Sequence, residues 1–163
     1  MSPSTFSLEQ SIRVPVHTLH DFLCDLHSYL ALHPLIESIE DLPPTESLPN
    51  ARRYRVLDRI PLGPFHIRTT YTAALESVSP NEIHGHAWQF PSVRLHTIYT
   101  LHASDDGTRL VERVSIEAPR PMRGFVTRQA GAAHAETLRK MKELLEDVSG
   151  STLSSENRPS PTK

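Results

Sequence analysis

The chain has 163 residues, 37% hydrophobic and 22% charged, and 17 basic against 19 acidic side chains leave a formal charge of −2. That length fits one ordinary domain with its own core, and the balanced charge excludes a polycationic binder of nucleic acid or membrane surfaces. No apolar stretch approaches the ~20 residues of a membrane helix, and the opening Met1-Ser2-Pro3-Ser4-Thr5 lacks the pattern of a signal peptide. The single cysteine, Cys24, allows no internal disulfide and no cysteine-built zinc site. The expected compartment is the cytoplasm, with no integral membrane association. Ten histidines and fourteen prolines stand out.

Phe6 to Arg13 alternates Phe6, Leu8, Gln10 and Ile12 with polar residues, which predicts a half-buried strand. After Val14-Pro15 the period changes: Val16, Leu19, Phe22, Leu23 and Leu26 recur at helical spacing. A second helical piece, Tyr29 to Leu32, is expected to stop at His33-Pro34, because proline disfavours helix in the residue before it. Leu35 to Leu42 reads as a short strand. Five more strands are predicted at Arg53–Ile60, Phe65–Val78, Ile83–Phe90, Arg94–Ala103 and Thr108–Ala118, separated by short turn signals such as Asp105-Asp106-Gly107. Connections this short imply an antiparallel meander.

Met122 to Val148 has no internal proline and many strong helix formers; as a helix it spans roughly 40 Å. Its apolar stripe is Leu138, Met141, Leu145 and Val148, extended backward through His134, Ala130 and Thr127. The Ser- and Pro-rich stretch from Ser149 to Lys163 predicts a disordered tail, leaving residues 1–148 as a single domain. The fold class is α+β: a curved antiparallel sheet wrapped around a long C-terminal helix.

Ile12-Arg13-Val14-Pro15, then Leu19, Phe22, Leu23, Asp25-Leu26, Tyr29 and His33-Pro34, resemble the opening pattern of the START-like (SRPBCC) superfamily, particularly its small polyketide cyclase/dehydrase-like and coenzyme Q-binding-like members. With the element order, the resemblance covers about Phe6 to Val148; Leu30 departs from it, since a proline is common after that tyrosine. The resemblance implies a helix-grip fold holding a lipid, polyketide, isoprenoid or similar molecule in an apolar cavity. It does not imply one chemistry. Polyketide cyclases of the family often place an arginine in the cavity, and the only arginine on the helix stripe is Arg123.

Directly opposed residues of an antiparallel pair share a face. Closing Ile60 on Phe65, Trp88 on Leu95 and Ala103 on Thr108 places Tyr54, Val56, Asp58, Ile60, Ile67, Thr69, Tyr71, His84, His86, Trp88, Phe90, Leu95, Thr97, Tyr99, Leu101, Leu110, Glu112, Val114 and Ile116 on one apolar and aromatic face. The other face carries Arg53, Arg55, Arg59, Arg68, Arg94, Arg109 and Arg113. The expected ligand-binding residues are Tyr71, His84, His86, Trp88, Thr97, Tyr99, Glu112, Ala130 and His134, because polar groups on an apolar wall line a cavity or pair together. His86, Tyr99, Glu112 and His134 are the candidate acid–base residues.

The leading expectation is therefore binding of one hydrophobic or aromatic small molecule, with a polyketide cyclase/dehydratase-type enzyme as the alternative. A protein-interaction module using the arginine face is the third reading. His84, His86 and Glu112 could form a metal site, but in a histidine-rich chain such a pair arises easily by chance, and no metal is expected; nor is a cofactor, since Gly63 and Gly107 read as turn glycines, not a phosphate loop. Interspersed Glu76, Glu117 and Asp105-Asp106, and the lack of a stacking platform, argue against nucleic acid. The expected assembly is a monomer or homodimer.

Overall fold

The computed structural model describes residues 2–155, with side chains described as far as residue 151. Its strands are β1 (Ser4–Ile12), β2 (Ile36–Leu42), β3 (Arg52–Leu62), β4 (Phe65–Ser79), β5 (Glu82–Gln89), β6 (Val93–Ser104) and β7 (Gly107–Glu117). They form one sheet in the order β1-β7-β6-β5-β4-β3-β2, every neighbouring pair antiparallel. Helix α1 (Val16–Leu23) and a 3-10 turn (Leu26–Tyr29) follow β1, and helix α2 (Arg120–Ser155) ends the described chain.

The 3-10 turn starts earlier than its hydrophobic pattern suggests. Asp25 caps it by accepting the His27 N–H at 3.1 Å, and Leu26 and Tyr29 turn into the core. Helix α2 also exceeds its expected limits. Pro121 sits in the first turn, where no N–H is required, and the Ser149 and Ser151 hydroxyls bond back to the Leu145 and Asp147 carbonyls at 2.9 and 3.1 Å. The segment from Ser149 to Ser155, read as tail from sequence, is thus helical; residues 156–163 of that expected tail lie outside the described residues. The buried stripe ends at Leu145, since Val148 is 58% exposed.

Two halves of α2 do different work. Leu138, Met141 and Leu145 join Ile12, Leu19 and Leu23 in the sealed core. There the helix is tied to the end of β1: the Arg13 backbone N–H and guanidinium donate to Glu146 at 2.9 and 3.2 Å, and Lys142 donates to the Ser11 carbonyl at 2.9 Å. The preceding half, Met122 to His134, stands over a cavity instead.

Strand register decides which side chains reach that cavity. The β6–β7 hairpin closes Ala103 on Thr108 as expected. The β3–β4 hairpin closes Leu62 on Phe65, so Ile60 pairs with Ile67; the slip of two residues keeps every side chain on its expected face. In β5–β6, Trp88 pairs with Arg94 and not Leu95. A slip of one residue moves β5 onto its other face, so Ile83, Gly85 and Ala87 point inward and His84, His86 and Trp88 point outward. On that outer face, Arg55 and Arg109 pair with Glu40 and Glu9 on neighbouring strands, and Arg68 on β4 reaches across β3 to Glu37 on β2.

The β6–β7 turn is wedged against the end of β1. Gly107 adopts φ +153°, and a Cβ there would lie 2.3 Å from the Ile12 carbonyl oxygen and 2.7 Å from Arg13 Cα. Gly63, at φ +59°, has open space around it. Gly107→Ala is therefore expected to destabilise by at least ~1–3 kcal/mol and clearly more than Gly63→Ala, as read from chemical denaturation midpoints. Equal effects would show that this close approach does not constrain the fold.

Candidate functional site

A cavity of about 290 Å³ opens between the inner sheet face and the first half of α2. Its existence follows from side-chain size. At the centre of the sheet the inward residues are Ala73, Gly85 and Ala87, while Tyr71, Leu95 and Tyr99 stand around them and Phe125, Val126 and Ala130 close the space from the helix. Even Gly85 has little spare room, because a Cβ there would touch Leu75 at 3.4 Å and Thr97 at 3.6 Å. At the rim Ile67, Phe90 and Met122 are exposed by 47%, 91% and 42%.

One polar pair joins sheet and helix inside this apolar space. Glu112 on β7 lies directly across from Tyr99 on β6 and is 1% exposed. Its Oε1 accepts from His134 Nδ1 at 2.5 Å. Burial alone lowers the basicity of His134, but the Glu112 carboxylate, with a smaller contribution from Asp58, outweighs it and holds the imidazole above its ordinary range. With Nδ1 committed to Glu112, Nε2 has no hydrogen-bond partner among the described residues, and the ring borders the cavity. Phe6 and His33 meet it edge-on, each with centroids 5.9 Å away.

His33 behaves in the opposite way. Desolvation first, and then the charge of His134, push its pKa down to about 3, while its Nδ1 accepts the Leu35 backbone N–H at 3.4 Å. That contact fixes a neutral ring with the proton on Nε2. Adjacent imidazoles are thus pushed in opposite directions from the ordinary histidine pKa.

The second polar element is Asp58 with Tyr71. Asp58 is 7% exposed, and burial raises its pKa to about 6, against the opposing influence of the Tyr71 hydroxyl and His134. Burial also raises Tyr71, Tyr99 and Tyr29, so all three remain protonated donors. Among the described residues, Asp58 Oδ1, Glu112 Oε2 and the Tyr29 hydroxyl have no hydrogen-bond partner. Tyr29 faces Tyr99 closely enough to couple to it electrostatically, in a geometry short of a formed bond. Unpartnered buried polar atoms each cost ~1–3 kcal/mol, and a ligand carrying hydroxyl or carbonyl groups is one way to satisfy those of Asp58 and Tyr29, which line the cavity.

The structure thus brings Tyr71, Thr97, Tyr99, Ala130 and His134 to the cavity wall, with Glu112 buried behind His134. It removes His84, His86 and Trp88 from the ligand set. Their rings lie on the outer face, where His86 stacks on Trp88 at 5.6 Å and on His96 at 4.5 Å, although His86, between the inward Gly85 and Ala87, still borders the cavity. His86 is accordingly no acid–base candidate, and the set His84, His86 and Glu112 is divided by the sheet. Asp58, His33 and Tyr29 were missed as site residues. Asp58 had a visible signal, since it is the one carboxylate in the inward series Tyr54, Val56, Asp58, Ile60. His33 had only its place beside Pro34.

No family model matches the chain, and no curated protein matches it. Solved structures do. The di-domain ARO/CYC StfQ from the steffimycin biosynthetic pathway superposes with a TM-score of 0.72 at 14% identity, over 91% of this chain and 52% of that one, so this chain spans about half of StfQ. A START superfamily protein from Mycobacterium smegmatis gives 0.66 at 16% identity, covering 90% of this chain and 98% of the other. The Zhui aromatase/cyclase from Streptomyces sp. R1128 gives 0.61 at 16% identity, covering 85% and 93%. The chain therefore has the helix-grip fold of START-like proteins, and at these identities the likeness is one of fold.

The raised pKa of Asp58 carries a stability signature. Its folded-state value of about 6 lies above the ~3.9 of an unfolded aspartate, so its contribution is fully present below pH ~4 and is lost as pH rises through 6. Asp58→Asn is expected to raise stability at pH 7 by roughly 1–3 kcal/mol, with the gain vanishing below pH ~4. Denaturant titrations of both proteins across that range check it; a gain independent of pH would mean that the carboxylate is not desolvated.

Proposed function

We propose that the chain binds one largely apolar, ring-bearing small molecule carrying hydroxyl or carbonyl oxygens, in the cavity between sheet and α2. The observation that carries this reading is the combination of a floor of Ala73, Gly85 and Ala87 with two orphaned buried polar atoms at its edges, Asp58 Oδ1 and the Tyr29 hydroxyl. The apolar area supplies affinity; Asp58 with Tyr71 on one side and His134 on the other supply orientation. The exposed apolar rim suits passage of such a molecule from solvent.

A second reading is favoured by the Glu112–His134 pair. An imidazole held at Nδ1 by a buried carboxylate can keep a proton on Nε2 and deliver it to a ligand oxygen, while Asp58, with a pKa of about 6, can take one up near neutrality. This is acid–base equipment suited to cyclisation or dehydration of a polyketide-like ligand, and the similar structures include aromatase/cyclases. No arginine is needed for it.

Binding is tested by native mass spectrometry and calorimetry with a panel of aromatic polyketides, flavonoids, quinones and fatty acids. The expected result is one-to-one binding of a ring-bearing compound, abolished by Ala87→Leu, which fills the floor, and weakened by Asp58→Asn and Tyr71→Phe. Any compound that is turned over is expected to lose ~10²–10⁴-fold in rate with His134→Gln. Affinity untouched by Ala87→Leu would place the ligand elsewhere; turnover untouched by His134→Gln would leave the chain a binding protein.

A further inference from the structure

The register that takes His84 and His86 out of the cavity assembles a different constellation on the outer face. His84 and His86 stand two residues apart on β5, and His96 lies directly opposite His86 on β6. All three are half-buried, and one ring nitrogen from each lies within 4.8 Å of the others.

The hydrogen bonds already resemble those of a metal site with a proton in place of the ion. Glu82 accepts from His84 Nε2 at 2.7 Å. A carboxylate can only accept, so His84 carries its proton on Nε2, and its Nδ1 is left as a lone pair aimed at His96 Nε2, 3.3 Å away. That separation equals the ~3.3 Å edge between two nitrogens coordinated at 2.0–2.1 Å around a tetrahedral ion. Glu82 is placed as the outer carboxylate that orients a metal-bound imidazole and raises its basicity.

His86 completes the set. It stacks between His96, at 4.5 Å and 4°, and Trp88, at 5.6 Å and 13°, and one of its ring nitrogens lies within 4.8 Å of those of His84 and His96. The charged surroundings suit a dication: Glu82 adjoins His84, and Glu76 on β4, opposite His84, acts electrostatically on His86. Three neutral imidazoles with a free fourth position match zinc(II) and its imidazole-binding neighbours cobalt(II), nickel(II) and copper(II), not magnesium or calcium.

We propose that His84, His86 and His96, oriented by Glu82, form a binding site for a divalent transition-metal ion of the zinc class on the outer face of the sheet, separate from the cavity. Binding moves the His96 proton from Nε2 to Nδ1 and leaves one coordination position to water.

The test uses untagged protein titrated with cobalt(II), whose visible absorption reports nitrogen coordination, followed by displacement with zinc(II). Trp88, the chain's single tryptophan, stacks on His86, so copper(II) or nickel(II) bound there should quench its emission. The expected outcome is saturable one-to-one binding and quenching, both lost in His86→Ala and His96→Ala and weakened ~10-fold in Glu82→Gln. Variants of the exposed outer-face histidines, His66→Gln and His102→Gln, should bind as the parent does. Because a half-buried histidine variant could fail to fold, histidine NMR of the parent supplies a second readout: zinc(II) should shift the imidazole signals of residues 84, 86 and 96 and leave those of 66 and 102 in place. Absence of saturable binding at millimolar metal, or parental affinity in folded His86→Ala and His96→Ala, overturns the proposal.

Discussion

The contact on which the interior is organised is the one between Glu112 and His134. A carboxylate that is 1% exposed in an apolar interior is expensive unless paired, and here its partner comes from the one helix that spans the sheet. The pair therefore fixes the height and rotation of α2 above β7 at the point where the sealed core gives way to the cavity. On one side of His134, Leu138 and Met141 close the core; on the other, Ala133 and Ala130 leave space. Replacing the pair by aliphatic residues could equally hold helix to sheet, so its chemical content, an imidazole presented to the cavity in a charged form, is what distinguishes it from packing.

The same pair sets the electrostatics of its surroundings. Its imidazolium opposes protonation of His33 and limits the rise in Asp58, while burial drives both in the directions seen. Cavity polarity is thus not a scatter of hydrophilic residues but one coupled group of titratable side chains, drawn from the 3-10 turn region, β3, β7 and α2, around a floor with almost no side chains. Each member is far apart in sequence from the rest. Only the sheet's curvature and the long helix bring them together.

How much of this could be read in the sequence depends on what each residue had to signal. Element order, the antiparallel meander and the long helix were legible because alternation and helical spacing recur over many residues, so errors at the ends, as at Arg120 or Ser155, do not alter the architecture. Glu112 and His134 were legible because each interrupts a long apolar pattern. The segment His84-Gly85-His86-Ala87-Trp88 was misread for a physical reason. Large rings normally face a core, but a cavity floor needs small residues, so here Gly85 and Ala87 face inward and the rings turn out. A one-residue slip was enough to exchange the two faces, and no alternation rule can detect it where the buried side is empty. The histidine cluster on the outer face was hidden by the same slip.

Two neighbouring imidazoles, 5.9 Å apart, are pushed in opposite directions from the ordinary histidine range: His134 upward by the buried Glu112 carboxylate, and His33 downward by desolvation and then by the charge of His134. Nitrogen-detected NMR titration of the histidine rings measures this directly. It should find the His134 pKa raised above the ordinary 6.5, with its Nδ1 proton in a strong hydrogen bond to Glu112, and His33 neutral, as the Nε2–H tautomer, down to about pH 3 or the onset of acid unfolding. If both rings titrate together near pH 6.5, the Glu112–His134 pair is not what organises the cavity.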